Sequence, residues 1–347
     1  MVKAVAYGLL SYLTAYLKTH YPVQFMTACL IAKTEDTGKI GVFINECNRL
    51  GIRVLPPSVN RSQLVFSPLV SKKQILFGLS AIKGMGVEIS EQIINNRPYD
   101  SFDSFLDKNK NSKLTIASIV SLIKAGAIPT DNKRKFLLRY ADKLFAESYK
   151  EKPFKELATL PKISSLKSEW GIDTDLIKSK EERLKHYNEA RRKKYESEKM
   201  NRAIEKEKKR KAFQENFSEK YMQNEHMWEF ETLSMFLTDN PLKDSSKYIS
   251  KTLGETQCGE SVVLLAVIVD IQRKKDRNGN PFAYIHLYTA EGIVEVACWS
   301  SQYKQYQSMI KKGNDIALLC KKKSEDLVEV NQMKPYRVWL HDRNVRK

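Results

Sequence analysis

The sequence lacks the residue patterns of several common protein classes. It has five cysteines, none of them in a Cys-x-x-Cys pair: Cys29, Cys47, Cys258, Cys298 and Cys320. Scattered cysteines are typical of a reducing compartment and do not indicate a zinc site. No apolar run approaches the ~20 residues that cross a membrane. The apolar N-terminal segment is interrupted by charged residues and a proline, unlike a signal peptide. We therefore expect a cytoplasmic protein without a membrane partner.

Catalytic patterns are missing as well. The sequence contains no phosphate-binding P-loop motif, and its histidines do not cluster with a nucleophile. The one Asp-x-Asp pair, Asp173 and Asp175, precedes a highly charged segment and has no strand pattern around it. A pair of metal ions needs carboxylates on rigid supports. We therefore predict no catalytic residue, no metal site and no bound cofactor in this chain.

Positive charge is abundant. The 347 residues include 59 Lys and Arg against 41 Asp and Glu, which gives a formal net charge of +18. This excess favours a polyanionic partner, either nucleic acid or an anionic membrane. The length suits two or three domains, and a hydrophobic content of 42% permits a sizeable core.

Periodicity divides the chain into helical and extended parts. Residues 4–50 read as helical, with a break at Tyr21-Pro22 and a turn at Gly38. Residues 51–75 contain prolines and read as extended, and a helix is predicted over 112–124. Residues 178–211 hold 15 Lys and Arg and 7 Asp and Glu, with Glu-to-Lys pairs at i,i+4 spacing. They predict one long solvated helix, which either follows DNA phosphates or serves as a charged spacer.

A lysine and two glycines separate two short apolar segments in LFGLSAIKGMGVEISEQIINNR (76–97). The pattern predicts a helix, a tight turn and a second helix. A helix that starts after glycines presents free N–H groups and a positive dipole end to an anion. Lys83, Gly84, Met85 and Gly86 are therefore candidates for binding a duplex phosphate without reading a base. An ordinary helical hairpin is the alternative.

From residue 260 the hydrophobic period changes to two. Five strands with a helix over 300–312 predict an OB-fold barrel. Ala283, Ile285 and Leu287 are expected to point inward, so the intervening aromatic residues, which include Tyr288, should point outward. Aromatic rings beside basic residues suit single-stranded nucleic acid, unless another domain covers the rings. The candidate single-strand-binding residues are Arg273, Lys274, Lys275, Phe282, Tyr284 and Trp299.

The order of these motifs resembles the C-terminal part of the alpha subunit of bacterial DNA polymerase III. The segment KAVAYGLLSYLTAYLKTHYPVQFMTACL (3–30) is similar to the end of that family's fingers domain. The glycine hairpin and LIKAGAI (122–128) resemble its helix-hairpin-helix region, and LSMFLTDNPL (233–242) its short motif before the OB domain. GNPFAYIHLYTAEGIVEVACW (279–299) resembles its OB strands. Only residues 145–225 lack a counterpart.

The resemblance also implies partners for this chain, and the sequence differs from the family's pattern at several positions. In the family the palm, with its metal-binding aspartates, lies upstream of these motifs, so a separate palm and thumb chain that binds Mg²⁺ is expected. A split viral (phage) gene, a truncation and splicing remain alternative origins. Gln214 and Phe217 are the nearest match to the family's clamp-binding peptide, but they depart from the usual pattern and a helix surface containing Phe217 explains them better. Ser234 and Asn240 replace a usual Gly and His.

Taken together, the sequence predicts a multidomain α+β protein. Residues 1–50 form the end of a fingers-like helical region, and 51–144 a helix-hairpin-helix region. Residues 145–230 form a charged helical insertion, and 231–347 a short motif and a five-stranded OB-fold barrel. The expected function is to hold duplex and single-stranded DNA for a replicative polymerase. The alternative is a non-catalytic DNA-binding accessory protein of replication or repair that acts without a polymerase chain.

Overall fold

The structure divides into two compact units. It is a computed structural model that describes residues 2–34, 37–110, 112–149, 153–172, 177, 179–238, 240–242, 248–249, 251–290, 292–325 and 327–344. The main unit comprises residues 1–133 and 224–347, and the insertion unit comprises residues 134–223. Among the described helices, none is long and apolar enough to cross a membrane.

Three helices begin the main unit: α1 (Val2–His20), α2 (Pro22–Ala32) and α3 (Thr37–Arg49). The predicted break at Tyr21 is confirmed, because Pro22 occupies the first turn of α2, where its missing N–H costs nothing. The predicted turn at Gly38 is wrong, since Gly38 lies inside α3 and the chain turns at Lys33 and Thr34. Burial of the apolar α3 side chains, such as Ile40, outweighs the ~1 kcal/mol that a helical glycine costs.

The segment predicted as extended forms only three short strands: β1 (Arg53–Leu55), β2 (Ser67–Leu69) and β3 (Gln74–Leu76). Strand β3 is central, parallel to β1 and antiparallel to β2. Prolines cannot donate to a strand ladder, which limits the length of these strands.

The hairpin region contains α4 (Val87–Asn95), α5 (Phe102–Lys108) and α6 (Ile116–Lys124), and it is followed by α7 (Lys133–Ser148). The first helix of the predicted glycine hairpin is only a 3-10 turn over Leu79–Ala81. Helix α6 starts later than predicted because the Thr115 hydroxyl accepts a hydrogen bond from the Ser118 N–H at 3.1 Å. It ends as predicted at Gly126, whose φ of +74° favours glycine.

The insertion unit continues from α7 with α8 (Ile163–Trp170), α9 (Lys180–Ser197) and α10 (Lys199–Tyr221). The predicted charged segment is helical, as expected, and the helix extends ten residues beyond 211. It is interrupted only at Glu198, whose N–H still donates to the Lys194 carbonyl at 3.0 Å. The hydrogen-bond ladder therefore continues across the interruption.

The main unit ends in the elements α11 (Trp228–Leu233), β4 (Ser261–Lys275), β5 (Pro281–Thr289), β6 (Gly292–Cys298), α12 (Ser300–Tyr306), β7 (Asp315–Ser324), β8 (Leu327–Pro335) and α13 (Tyr336–Asn344). The five strands close into a barrel in the order β4-β5-β6-β8-β7, and only β6 and β8 run parallel. This order, with a helix between the third and fourth strands, is that of an OB-fold. Ala283, Ile285 and Leu287 fill the barrel as predicted.

Candidate nucleic-acid interface

The glycine hairpin is held in place at both ends of its turn. The Lys83 N–H donates to the Thr232 carbonyl at 2.9 Å, and the Ser118 hydroxyl donates to the Gly84 carbonyl at 3.4 Å. Ile82 and Met85 are buried and anchor the turn to the core. The tip is therefore a rigid element rather than a free loop.

The solvent side of this tip consists of Lys83, Gly84 and Gly86, all of which are exposed. The Met85 side chain points into the core, so Met85 can contact a ligand only through its backbone. Gly86 forms the N-cap of α4, and the described residues place no carboxylate within ion-pair distance of Lys83. The tip thus combines a free cation with the N–H groups of a helix start, as an anion site requires.

The two glycines of the tip have different local requirements. Gly84 has φ +85°, a left-handed conformation that L-residues rarely adopt. Gly86 has φ −77° and ψ 165°, which any residue adopts, and a Cβ placed there would meet no atom within 4 Å. Nothing in the described part of the chain requires glycine at position 86. The absence of a side chain there instead leaves free space on the solvent side of the tip.

The short motif before the barrel braces the hairpin region. Lys124 lies 3.3 Å from the Glu231 carboxylate and 5.4 Å from the Trp228 ring centre. Ser234 ends α11 with φ +62°, which gives a physical reason why the resemblance has glycine at this position. Sequence periodicity missed this support, because a six-residue helix carries no detectable period.

Three aromatic rings form a cluster on the outer barrel surface. The Phe282 ring centre lies 5.2 Å from that of Trp299 and 5.6 Å from that of Tyr284. Phe282 is only 8% exposed, whereas Tyr284 and Trp299 are half-buried. The Trp299 indole N–H donates to the Glu329 carboxylate at 2.8 Å. The structure therefore brings the predicted rings together, but it uses Phe282 mainly for packing.

The basic residues of β4 flank this cluster. The Lys274 ammonium lies 4.7 Å from the Tyr284 ring centre, and the Arg273 guanidinium donates to the Tyr303 hydroxyl at 3.1 Å. Lys275 is exposed at the end of the strand. Lys274 pairs with Phe282 in the strand register and shares the ring face, whereas Arg273 pairs with Ala283 and points to the opposite face. Of these cations, Lys274 therefore lies with the half-buried rings, an arrangement suited to single-stranded nucleic acid.

Tyr288 does not belong to this surface. It was predicted to point outward with Tyr284, and it is buried against Phe230 at 5.6 Å and Phe236 at 5.1 Å between ring centres. Burial raises the pKa of its hydroxyl. The alternative interpretation, that another part of the chain covers an outward ring, therefore holds for Tyr288.

The clamp-binding candidates lie inside the insertion unit. Phe217 is 6% exposed, and its ring centre lies 6.3 Å from that of Tyr140 and 4.9 Å from that of Tyr221. The Gln214 side-chain amide donates to the Asp142 carboxylate at 2.7 Å. Both residues are thus engaged in contacts within the insertion unit.

Within the described parts of the chain, no three His, Cys, Asp or Glu side chains are grouped so that they could hold a metal ion. The Asp-x-Asp pair, Asp173 and Asp175, lies outside the described residues.

A family model of the helix-hairpin-helix motif matches residues 51–136. The chain is also similar to proteins named DNA polymerase III subunit alpha. The one from Thermus aquaticus is 38% identical over 48% of this chain and 15% of its own length. Those from Saccharopolyspora erythraea and Chlamydia pneumoniae are 26% and 28% identical over 91% and 94% of this chain. The chain spans 15–25% of the length of these relatives.

One solved structure, the second OB-fold domain of replication protein A from Methanococcus maripaludis, aligns with 25% of this chain and 93% of its own. The identity is 14% and the TM-score 0.20, so the OB-fold assignment rests on the strand order of the barrel itself. Two of the polymerase relatives cover about nine-tenths of the chain. The chain is therefore related to the alpha subunit of bacterial DNA polymerase III and fits its C-terminal region, which confirms the resemblance drawn from the motifs.

Proposed function

We propose that this chain is a DNA-binding part of a replicative DNA polymerase. The glycine hairpin holds the backbone of duplex DNA, and the outer barrel surface binds the single-stranded template. The matches to the helix-hairpin-helix model and to polymerase alpha subunits support this assignment. The net charge of +18 gives the electrostatic attraction that phosphate binding needs.

The observation that carries the proposal is the open space at Gly86. A residue with an ordinary backbone conformation and no close neighbour has no internal reason to be glycine. A phosphate that approaches the N–H groups of α4 supplies an external reason, because a side chain there would keep the phosphate away. Lys83 adds its charge at the same point.

Substitutions at the tip test this site. Gly86→Val should weaken duplex binding at a stability cost of no more than about 1 kcal/mol, the cost of a weaker N-cap, and Lys83→Ala should weaken binding equally on all sequences. The slope of log affinity against log salt should fall by ~0.9 for the one lost phosphate contact. Lys334→Ala is the control, because it removes a lysine of β8 that already pairs with Asp342 at 2.8 Å and lies outside the hairpin region.

The hairpin would be purely structural if the Lys83 and Lys334 variants gave the same affinity and the same salt slope. The barrel surface could still bind single strands in that case, and oligo-dT titration of the same variants shows whether it does.

We further propose that the metal-binding carboxylates, and hence Mg²⁺, belong to a separate chain with the polymerase palm and thumb. Helix α1 supports this proposal, because its large apolar residues are exposed around more than half of its circumference. These residues are Val5, Tyr7, Leu9, Leu10, Tyr12, Leu13, Tyr16 and Leu17. A helix that is apolar on most sides is normally buried, and an exposed apolar patch of this kind marks an interaction site.

Charged residues on α1 test for this partner. Tyr12→Glu with Leu13→Glu should abolish co-purification of a polymerase chain and joint primer extension, and duplex binding by the hairpin should remain. If no polymerase chain co-purifies with the wild-type protein, the DNA-binding accessory protein is the better assignment.

Binding of a sliding clamp through Gln214 and Phe217 is a separate proposal. It requires Phe217 to leave its contacts with Tyr140 and Tyr221. Gln214→Ala keeps that aromatic cluster, so loss of clamp binding in this variant would support the proposal and unchanged binding would contradict it.

A further inference from the structure

Several cations of α9 and α10 lie over aromatic rings of the insertion unit. Arg191 lies over Phe154 and Tyr187, at 5.3 and 5.6 Å from the ring centres. Lys194 lies 5.2 Å from the Trp170 ring centre, and Lys206 lies 5.4 Å from that of Tyr149. Arg202 lies 3.5 Å from the ring centre of Tyr195. We call Arg191, Lys194, Arg202 and Lys206 the cation stripe.

Three cations of this stripe lack the carboxylate partner that some neighbouring cations have. Among the described residues, Arg191, Lys194 and Lys206 have no carboxylate within ion-pair distance. Further along the same helix, Lys209 lies 2.7 Å from Glu205, and Arg210 lies 2.8 Å from Glu207. Lys194 and Lys206 are nonetheless exposed. A ring face attracts a cation without cancelling its charge, so these ammonium groups remain available to an anion.

The stripe follows one side of the helix pair. Its members recur at intervals of three, eight and four residues, which match a helical period, and the hydrogen-bond ladder continues across Glu198. Arg191 and Lys206 are 15 positions apart, about 22 Å along a helix at ~1.5 Å per residue. Because the rings hold the side chains in place, less side-chain entropy is lost when a ligand binds.

The placement of the stripe's cations over aromatic rings favours one kind of polyanionic ligand over the others. Rings that are covered by cations cannot stack on bases, which disfavours single strands as the ligand. The exposed large apolar residues of α10 are Met200 and Ile204, a patch of two side chains that is too small to form a continuous apolar face for a membrane surface. Duplex DNA presents its phosphates outward and keeps its bases stacked inside, so it fits a row of cations over at least 20 Å.

We propose that the cation stripe of the insertion unit binds the phosphate backbone of duplex DNA. The site is distinct from the glycine hairpin and from the barrel surface, and it rests on the proposed function only in taking DNA as the partner. Of the two alternatives for the charged helix, this proposal takes the binding surface rather than the spacer.

The test compares two double variants of the full chain. Lys194→Met with Lys206→Met removes two charges of the stripe and keeps an unbranched side chain over each ring. Lys193→Met with Lys211→Met removes two charges from another side of the same helices and is the matched control. Circular dichroism and thermal unfolding check that both variants fold. Titration of a random-sequence duplex at several salt concentrations gives the salt slope.

The stripe variant should lower the salt slope by about 1.8, two contacts at ~0.9 each, and the control should change it far less. Equal slopes for the two variants would overturn the inference. So would a stripe effect confined to oligo-dT or to phosphatidylserine vesicles, because the ligand would then be a single strand or a lipid surface. Lys83→Ala is titrated in parallel. If it weakens duplex binding and the stripe variant does not, the inference fails and the proposed function stands. The reverse result would retain the stripe and remove the hairpin site.

Discussion

The hairpin tip and the outer barrel surface are both candidates for DNA binding, but they are built in opposite ways. At the tip, the described residues contact Lys83 and Gly86 through backbone atoms and place no carboxylate near the Lys83 side chain and no atom near a Cβ at position 86, whereas the buried neighbours Ile82 and Met85 hold the turn. On the barrel, the rings that would bind DNA also pack on each other, and Phe282 is nearly buried. Substitutions at the tip should therefore change DNA affinity with little change in stability, whereas substitutions of the barrel rings should change both.

Phe282→Ala gives the largest expected effect and tests the coupling on the barrel. Removal of a buried phenylalanine should cost about 3–5 kcal/mol in the free energy of unfolding. Urea unfolding followed by tryptophan fluorescence measures this loss. A cost under about 1 kcal/mol, the range of surface substitutions, would mean that Phe282 is not a packing residue.

Tyr284→Ala should affect binding more than folding, because Tyr284 is half-buried. Loss of one stacking ring should cost about 1–3 kcal/mol in affinity for oligo-dT, with little change for duplex DNA. Tyr288→Phe is the control, since Tyr288 is buried and makes no contribution to the outer surface. Equal oligo-dT affinities of the two variants would remove the barrel surface as a single-strand site.

The two glycines of the tip provide a comparison within the hairpin. Gly84→Ala should destabilise the protein by about 1–2 kcal/mol, because φ +85° is unfavourable for alanine. Gly86→Ala should change stability by less than about 1 kcal/mol, because the lower entropy of the unfolded chain offsets the weaker N-cap of α4, and it should still weaken duplex binding. Thermal unfolding measures the stability of both variants, and duplex titration measures their affinity. A loss of stability as large as that of Gly84→Ala would show that folding also requires glycine at position 86.

Ser234→Gly is expected to have the smallest effect. Ser234 has φ +62°, and glycine relieves the strain of this conformation, although it also adds freedom to the unfolded chain. We expect a net gain of up to about 1 kcal/mol in the free energy of unfolding, with unchanged duplex affinity. An altered duplex affinity would show that the short motif positions the hairpin tip as well as supporting it.

Local pattern predicted much of this structure. The alternation of apolar residues predicted the barrel strands and the inward residues Ala283, Ile285 and Leu287, because every second side chain of a strand points into the barrel. Pro22 located the first helix break, and Gly126 located the end of α6. The glycine hairpin was recognisable for the same reason, since its turn chemistry is encoded within a few residues.

Contacts between distant residues could not be read in this way. Alternation correctly placed Phe282, Tyr284 and Tyr288 on one strand face, but only the folded chain decides which rings α11 and its neighbours cover. The cations of α9 and α10 look alike in sequence, and packing against α8 and the segment around Phe154 selects those that lie over rings.

By itself, the sequence determined the order of helical, charged and barrel segments and the residue types available for binding DNA. These features follow from local backbone preference and from the period of the apolar residues. The tertiary structure decided which of those residues remain exposed. Burial depends on partners far away in the chain, and it makes Phe217 and Tyr288 parts of the core while Lys83, Gly86 and Lys194 face the solvent.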